Sequence, residues 1–357
     1  MARLAASQEQ ELRRKVTTTF GDQRWRLNHI YHIEDKQGRI VPFRMNDAQA
    51  DFYNGLWYLN VILKARQLGF STLIAMLWLD VCLFNSSTRC GIVDATIDDA
   101  KKKLKKIGLA YRMLPKWLQD WCPITTENAF SIEFKNGSGI EVGTSHRGGT
   151  LQYLHVSELG KIAAKYPEKA REIRTGALNT VQAGQICVIE STAEGQEGDF
   201  YDICQAAEAR KRMGSKLTKL DFKFHFFPWH GAKEYRIDPD GVAISEPMAR
   251  YFSKIERDHG VQLSQGQRAW YVKKAESQLG DMKREFPATP GEAFEASIEG
   301  AIFGPKMEAA ESEGRIGDFK AHPGVPVHVS FDLGRKDYTS LWFFQVFAGK
   351  VRVVGFY

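Results

Sequence analysis

Lys64, Ser71 and Glu158 are the side chains whose types and spacing point most directly to phosphoryl chemistry. Lys64 opens the stretch Lys64-Ala65-Arg66-Gln67-Leu68-Gly69-Phe70-Ser71-Thr72. A β-branched, apolar run enters it (Leu59, Val61, Ile62, Leu63), and a run suited to a buried helix leaves it (Leu73 to Trp78). Strand, tight basic loop and helix form the layout of a phosphate-binding loop. The first turn of a helix has backbone N–H groups without internal partners and the positive end of the macrodipole. Gly69 lets the main chain approach an anion closely, and Ser71 stands where a hydroxyl would ligate Mg²⁺.

The loop departs from Gly-x-x-x-x-Gly-Lys-Ser/Thr. Phe70 holds the usual lysine position and Lys64 the usual first glycine. The long stem of Lys64 would bring an ammonium to the same phosphates from the upstream side. The plainer alternative is a strand–helix corner with two surface cations. Glu158 follows the hydrophobic strand Leu151 to Val156, as the carboxylate that polarises water in ATPases does; its alternative is a helix cap. The residue before it, an acid in the usual pattern, is Ser157, whose hydroxyl suits a metal-bound water. Gln49 follows Asn46 or Asp47 as N-cap, and an amide that donates and accepts suits the edge of adenine; its alternative is an ordinary helix surface.

The elements around these residues predict an α/β fold. Thr88 to Ala95 reads as a strand, and Asp98 as the cap of a helix carrying Lys101, Lys102, Lys103, Lys105 and Lys106. That run is a solvated face or a contact for a phosphate backbone. Gln37-Gly38 and Asn136-Gly137 mark hairpins. Lys165 to Leu178 and Phe200 to Arg212 read as helices, and Gln185 to Ile189 and Lys219 to Phe227 as strands. Alternating strands and helices imply a mostly parallel sheet covered on both faces, with ligands beyond the carboxyl ends of the strands. Lys64, Ser71, Glu158, Ser191 and Thr192 all fall at such ends. Residues 228–322 read as loop-rich, with one helix over Ser264 to Lys283. Val325 onward predicts three strands with Asp332 on the first. The expected division is 1–212 for a polar lead (helix-prone over Gln8 to Lys15) and nucleotide-binding core, 213–322 for a last strand, lid and connector, and 323–357 for a new unit. With 357 residues, 43% hydrophobic and 26% charged, the chain has the composition of a globular protein. Its net charge of +6 is compatible with nucleic acid. The five cysteines lack CxxC spacing and read as reduced thiols. No apolar stretch approaches a membrane span.

In order along the chain, Gln49, Lys64-x-Arg66-Gln67-x-Gly69-x-Ser71-Thr72, Arg147-Gly148, Leu154-His155-Val156-Ser157-Glu158, Ser191-Thr192-Ala193-Glu194-Gly195 and Phe331-Asp332-x-Gly334 resemble the large terminase subunit of tailed bacteriophages. The resemblance covers about residues 40–357. It implies a P-loop core of the ASCE type followed by a small connector and the opening strands of an RNase H-like nuclease. It implies an ATPase that moves double-stranded DNA into a procapsid. ATP and Mg²⁺ would occupy a site with Gln49 at adenine, Lys64, Arg66, Gln67, Gly69 and Thr72 along the loop, and Ser71 at the metal. Glu158 would be the catalytic carboxylate, Arg66 or Arg147 the arginine that stabilises the transition state, and Ser191-Thr192 the coupling motif. Asp332 matches the first acid of a nuclease using two divalent metals, Mg²⁺ or Mn²⁺. Its later acids would lie past Tyr357, so a chain truncated in its nuclease, unable to cut DNA, is the expectation. The partners implied are DNA, the portal protein and the small terminase subunit. The assembly implied is a ring on the procapsid in the host cytoplasm, monomeric when isolated, with no membrane. Two alternatives are another nucleic-acid-stimulated ATPase, such as a helicase, and a non-catalytic DNA- or portal-binding module with a degenerate loop.

Overall fold

The computed structural model describes residues 18–146, 149–295, 306, 310, 313–317, 319–332 and 340–356. The lead over Gln8 to Lys15, Arg147 with Gly148, and Gly334 lie outside the described residues. The chain divides into two compact units, Met1–Ser297 and Ile298–Tyr357.

The first unit opens with α1 (Gln23–His29) and the antiparallel hairpin β1 (His32–Glu34) and β2 (Ile40–Pro42), turning at Gln37-Gly38 as the sequence predicts. Next come α2 (Asp47–Asn54), β3 (Leu59–Lys64), α3 (Phe70–Phe84), β4 (Arg89–Val93), α4 (Ile97–Arg112) and α5 (Lys116–Trp121). A meander of β5 (Ile124–Glu127), β6 (Ser131–Phe134) and β7 (Gly139–Gly143) follows, with the β6–β7 hairpin turning at Asn136-Gly137. Then come β8 (Leu151–Ser157), α6 (Leu159–Lys165), α7 (Pro167–Thr175), β9 (Val181–Ser191), α8 (Asp199–Arg212) and β10 (Phe222–Phe227). The main sheet has eight strands in the order β10-β3-β9-β8-β4-β7-β6-β5. From β10 to β7 every pairing is parallel, and β6 and β5 continue antiparallel. This is the expected α/β class.

The order explains where the site lies. β9 is inserted between the loop strand β3 and the strand β8 that carries Glu158. All three end on the same edge of the sheet, as parallel strands must. Helix α3 is buried from Leu73 through Leu83, so one face of the sheet is closed by a helix that is apolar all round. Its one buried acid, Asp80, accepts two hydrogen bonds from Arg26 and one from Tyr31, which ties the N-terminal elements to the back of the helix.

Several local expectations change. Thr96, not Asp98, caps α4: its hydroxyl accepts from the Asp99 N–H, leaving the two acids in the first turn. The helix expected over Lys165 to Leu178 is broken, because Pro167 has no N–H to continue α6 and starts α7 instead. Strand β9 runs farther in both directions than Gln185 to Ile189. The stretch after β10 is less loop-rich than its composition suggests. It holds α9 (Glu246–His259), α10 (Gln265–Gln278), the single turn α11 (Met282–Glu285) and α12 (Pro290–Glu295). α9 carries Pro at its N-terminus and α10 has a Ser264/Gln267 capping box. Trp229, Phe252 and Tyr271 pack together in a buried aromatic cluster beneath them.

The second unit holds an antiparallel sheet of β11 (His328–Asp332), β12 (Ser340–Phe347) and β13 (Lys350–Phe356). Asp332 ends the first strand opposite Ser340 and is exposed. Among the described residues no group of three or more His, Cys, Asp and Glu is arranged to hold a metal.

The core sets one pH response. His225 on β10 is buried, and its Nε2–H donates to Asn60 Oδ1 at 3.1 Å. Burial, with Lys223 and Lys211 nearby, lowers its pKa from 6.5 to about 3. The folded protein therefore keeps it neutral, while the unfolded chain takes up a proton below 6.5. Stability falls as pH drops from 6.5 toward 3, with a slope of ~1.4 kcal/mol per pH unit from this group. In urea unfolding at stepped pH, wild type should lose stability more steeply than His225→Gln over that window. Parallel curves would show that His225 is not the titrating group.

Candidate active site

The turn from β3 into α3 is held open by its surroundings. The Ala65 N–H donates to the Phe227 carbonyl at 2.9 Å and the Arg66 N–H to the Glu285 carbonyl at 3.0 Å. The next five amides, from Gln67 to Ser71, have no hydrogen-bond acceptor among the described residues. Gln67 and Gly69 both have positive φ, 57° and 78°. Successive N–H groups in such a turn, leading into a helix N-terminus, form a concavity that binds anions. Gly69 is required: a Cβ there would sit 2.7 Å from Gln49 Nε2. Phe70, where a lysine is usual, is buried against Phe52 and Phe227. The core occupies that position, so the cation has to come from elsewhere.

The buried cation beside this loop is Lys64. The side chain is buried, and Nζ lies 3.0 Å from Glu190 Oε2 and 3.6 Å from Glu158 Oε1. Burial disfavours its charge, but Glu190 and Glu158 together outweigh that and raise its pKa above the ordinary lysine value. Glu158 sits between β8 and α6 in the left-handed region at φ 58°, ψ 39°. A non-glycine residue there is strained by ~1–2 kcal/mol, and such strain persists where the surroundings dictate it. Two bonds do so: the Glu158 N–H donates to the Glu190 carbonyl at 2.7 Å, and the Gly160 N–H to Ser191 Oγ at 3.1 Å. Burial raises the pKa of the Glu158 carboxyl, against the pull of Lys64.

Sequence reasoning passed over Glu190. It is fully buried at the end of β9. Its Oε1 accepts from Ser71 Oγ at 2.5 Å, Ser157 Oγ at 3.0 Å and His155 Nε2 at 3.3 Å. Burial opposes its ionisation, but Lys64 and His155 more than reverse that and hold it below the usual carboxylate range. Burial also keeps His155 neutral, with its pKa below the ordinary imidazole value, so Nε2 carries the proton it gives to Glu190. Asp94, just past β4, was also passed over. It pairs with Lys103, and with Ser71, Glu158, Lys106 and Lys161 these two line a cleft of about 350 Å³ beside the loop. The lysine run of α4 is thus divided. Lys102, Lys103 and Lys106 line this cleft, Lys102 while paired with Asp99, whereas Lys101 pairs with Asp98 on its own helix.

The other expected residues fall as follows. Gln49 is buried under the loop: its Nε2 donates to the Gly69 carbonyl at 2.7 Å, and its Oε1 accepts from the Asn46 N–H at 3.0 Å. Its amide braces the turn and closes the capping box of α2. Arg66 is gripped by Glu285, to Oε2 through Nε and to Oε1 through an Nη at 3.1 Å. Thr72 lies in the first turn of α3, its N–H on the Gly69 carbonyl. Ser191 and Thr192 are buried against α6, and two residues on Glu194 meets Arg284 at 3.0 Å. Arg284 also reaches Glu285 at 3.4 Å, so charged contacts run from the loop to the end of β9. The Ser71 hydroxyl beside a carboxylate offers hard oxygen donors of the kind Mg²⁺ takes.

No family model matches the sequence, and no curated protein matches it. Solved structures do match. The Thermus phage P74-26 large terminase ATPase domain aligns at 13% identity and TM-score 0.43, covering 69% of this chain and 94% of that one. The large terminase of another thermophilic bacteriophage aligns at 10% identity and TM-score 0.41, covering 88% and 68%. The HK97 bacteriophage large terminase aligns at 16% identity and TM-score 0.51, covering 93% of this chain and 67% of that one. Over most of its length, then, this chain has the fold of the HK97 bacteriophage large terminase.

Proposed function

We propose that this chain hydrolyses ATP and uses the energy to move double-stranded DNA into a viral procapsid, as a large terminase subunit. The observation that carries the ATPase reading is the buried Lys64 ammonium between Glu158 and Glu190, beside five loop amides with no acceptor among the described residues. A cation, a row of donors and a carboxylate on one strand edge suit the triphosphate and its attacking water. The loop amides and Lys64 bind the phosphates. Glu158 orients the water and accepts its proton. Mg²⁺, held at Ser71, would neutralise charge building on the β- and γ-phosphate oxygens. Ser191 and Thr192, packed against the turn that carries Glu158, would pass the change at the γ-phosphate to the rest of the motor.

The terminase assignment rests further on the fold shared with HK97 and on the antiparallel sheet whose first strand ends in Asp332. A helicase shares the site but has no need of that sheet. DNA, a portal, a small subunit and a ring in the host cytoplasm belong to this proposal. No helix among the described residues is long and apolar enough to cross a membrane.

The test is a titration of a fluorescent ATP analogue with Mg²⁺ into wild type and Lys64→Ala. Wild type should bind and the variant should not. Absence of binding by wild type would favour a non-catalytic module and overturn the assignment.

A further inference from the structure

Ser157 occupies the place where a P-loop ATPase carries its metal-side acid, next to the water-activating carboxylate. A hydroxyl cannot supply the missing negative charge. The parallel register of β8 and β9 pairs Ser157 with Glu190. On its other side β9 pairs with β3, and Glu190 lies opposite Ile62, two residues before Lys64. A full carboxylate therefore stands directly across from the position that lacks one, on the strand nearer the loop. Its Oε1 takes the protons of both Ser71 and Ser157. Its Oε2 is buried and makes no hydrogen bond among the described residues, though it lies 3.0 Å from Lys64 Nζ.

We propose that Glu190 is the carboxylate of the divalent-cation site, moved from strand β8 to its neighbour β9. This rests on the nucleotide-binding reading above. By accepting the Ser71 proton, Glu190 leaves the lone pairs of that hydroxyl for the cation. The Ser157 hydroxyl, held by the same oxygen, is placed to contact cation-bound water. The pair of an acid and a loop hydroxyl that P-loop NTPases use for Mg²⁺ is thus present, with the acid on another strand. Glu190 is a positioning residue, and before nucleotide binds it also holds Lys64. The competing account gives it only that second task.

The two accounts separate in the metal dependence of binding. Affinity for ADP is measured with Mg²⁺ and with chelator in wild type, Glu190→Gln and the double variant Ser157→Asp/Glu190→Gln. Removing the partner of a metal ligand weakens metal affinity by roughly 10- to 100-fold. Mg²⁺ should therefore strengthen ADP binding in wild type, and that gain should vanish in Glu190→Gln, a loss larger than any change in its metal-free affinity. The double variant, which returns the acid to β8, should recover the gain. The electron paramagnetic resonance spectrum of Mn²⁺ bound with ADP should change in Glu190→Gln and revert in the double variant. If Glu190→Gln does not fold, Glu190→Asp keeps the charge near Lys64 while drawing it away from Ser71, and should likewise lose the metal gain. Equal losses with and without metal, or an unchanged Mn²⁺ spectrum, would overturn the proposal. Wild type that binds ADP with no metal effect overturns it alone; wild type that binds no nucleotide removes the ATPase reading and this inference together.

Discussion

Glu158→Gln should lower the rate of ATP hydrolysis by ~10²–10⁴-fold while leaving ATP affinity nearly intact. Positioned general-base catalysis contributes about that much. The amide has the size of the carboxyl and the same left-handed backbone demand, so the turn into α6 is kept. It cannot accept the proton of the attacking water. Affinity survives because Lys64 keeps its nearer partner, Glu190 at 3.0 Å, when the 3.6 Å contact to Glu158 is weakened. The pH profile gives an independent check. Burial raises the Glu158 pKa above the ordinary value of 4.5. The ionised form is the active one, so turnover should rise with pH through a pKa above 4.5 and then level. Single-turnover hydrolysis by wild type and variant across that range measures both effects. A variant that keeps a tenth or more of the wild-type rate would remove Glu158 from the role of base.

The loop was legible in the sequence because its determinants are local. An apolar strand, a turn with Gly69 and an apolar helix occupy consecutive residues, and Lys64 and Ser71 follow from them. Phe70 stands at the usual lysine position because its ring belongs to the core, against Phe52 and Phe227. Glu158 was legible for the same reason, as the residue past a hydrophobic strand. Glu190 was not. Its position at the end of an apolar strand looks like the start of a polar loop. Its role comes from register with β8, and its hydrogen bond to Ser157 spans 33 residues while that to Ser71 spans 119. The partner of Arg66 was not legible either. The arginine's type and place suggest a free guanidinium, and only the fold brings up Glu285, 219 residues away, to grip it. The helices after β10 were under-read because their helix signals are caps and Pro at the N-terminus, set among residues of loop-like composition.

Lys64→Met should do two things that one further substitution pulls apart. It should weaken ATP binding by roughly 30- to 4,000-fold, the loss expected when one partner of a buried, hydrogen-bonded charge pair is truncated. It should also destabilise the free protein by ~3–5 kcal/mol, because it strands the fully buried charge of Glu190. Adding Glu190→Gln should restore most of that stability. The neutral amide still accepts from Ser71, Ser157 and His155 and no longer needs a counter-ion. It should not restore ATP binding, since the ammonium that meets the phosphates is still missing. The double-mutant cycle in urea unfolding thus reports the Lys64–Glu190 pair as structure, and the same proteins in a nucleotide titration report Lys64 as ligand. The sign with pH follows from the carboxylate. Glu190 is held below its ordinary value of 4.5 in the folded state, so the pair's contribution is present above 4.5 and declines as pH falls below it. If Lys64→Met is as stable as wild type, the buried pair does not exist in solution. If the double variant regains ATP binding, Lys64 guards Glu190 and does not hold phosphate, and the site loses its cation.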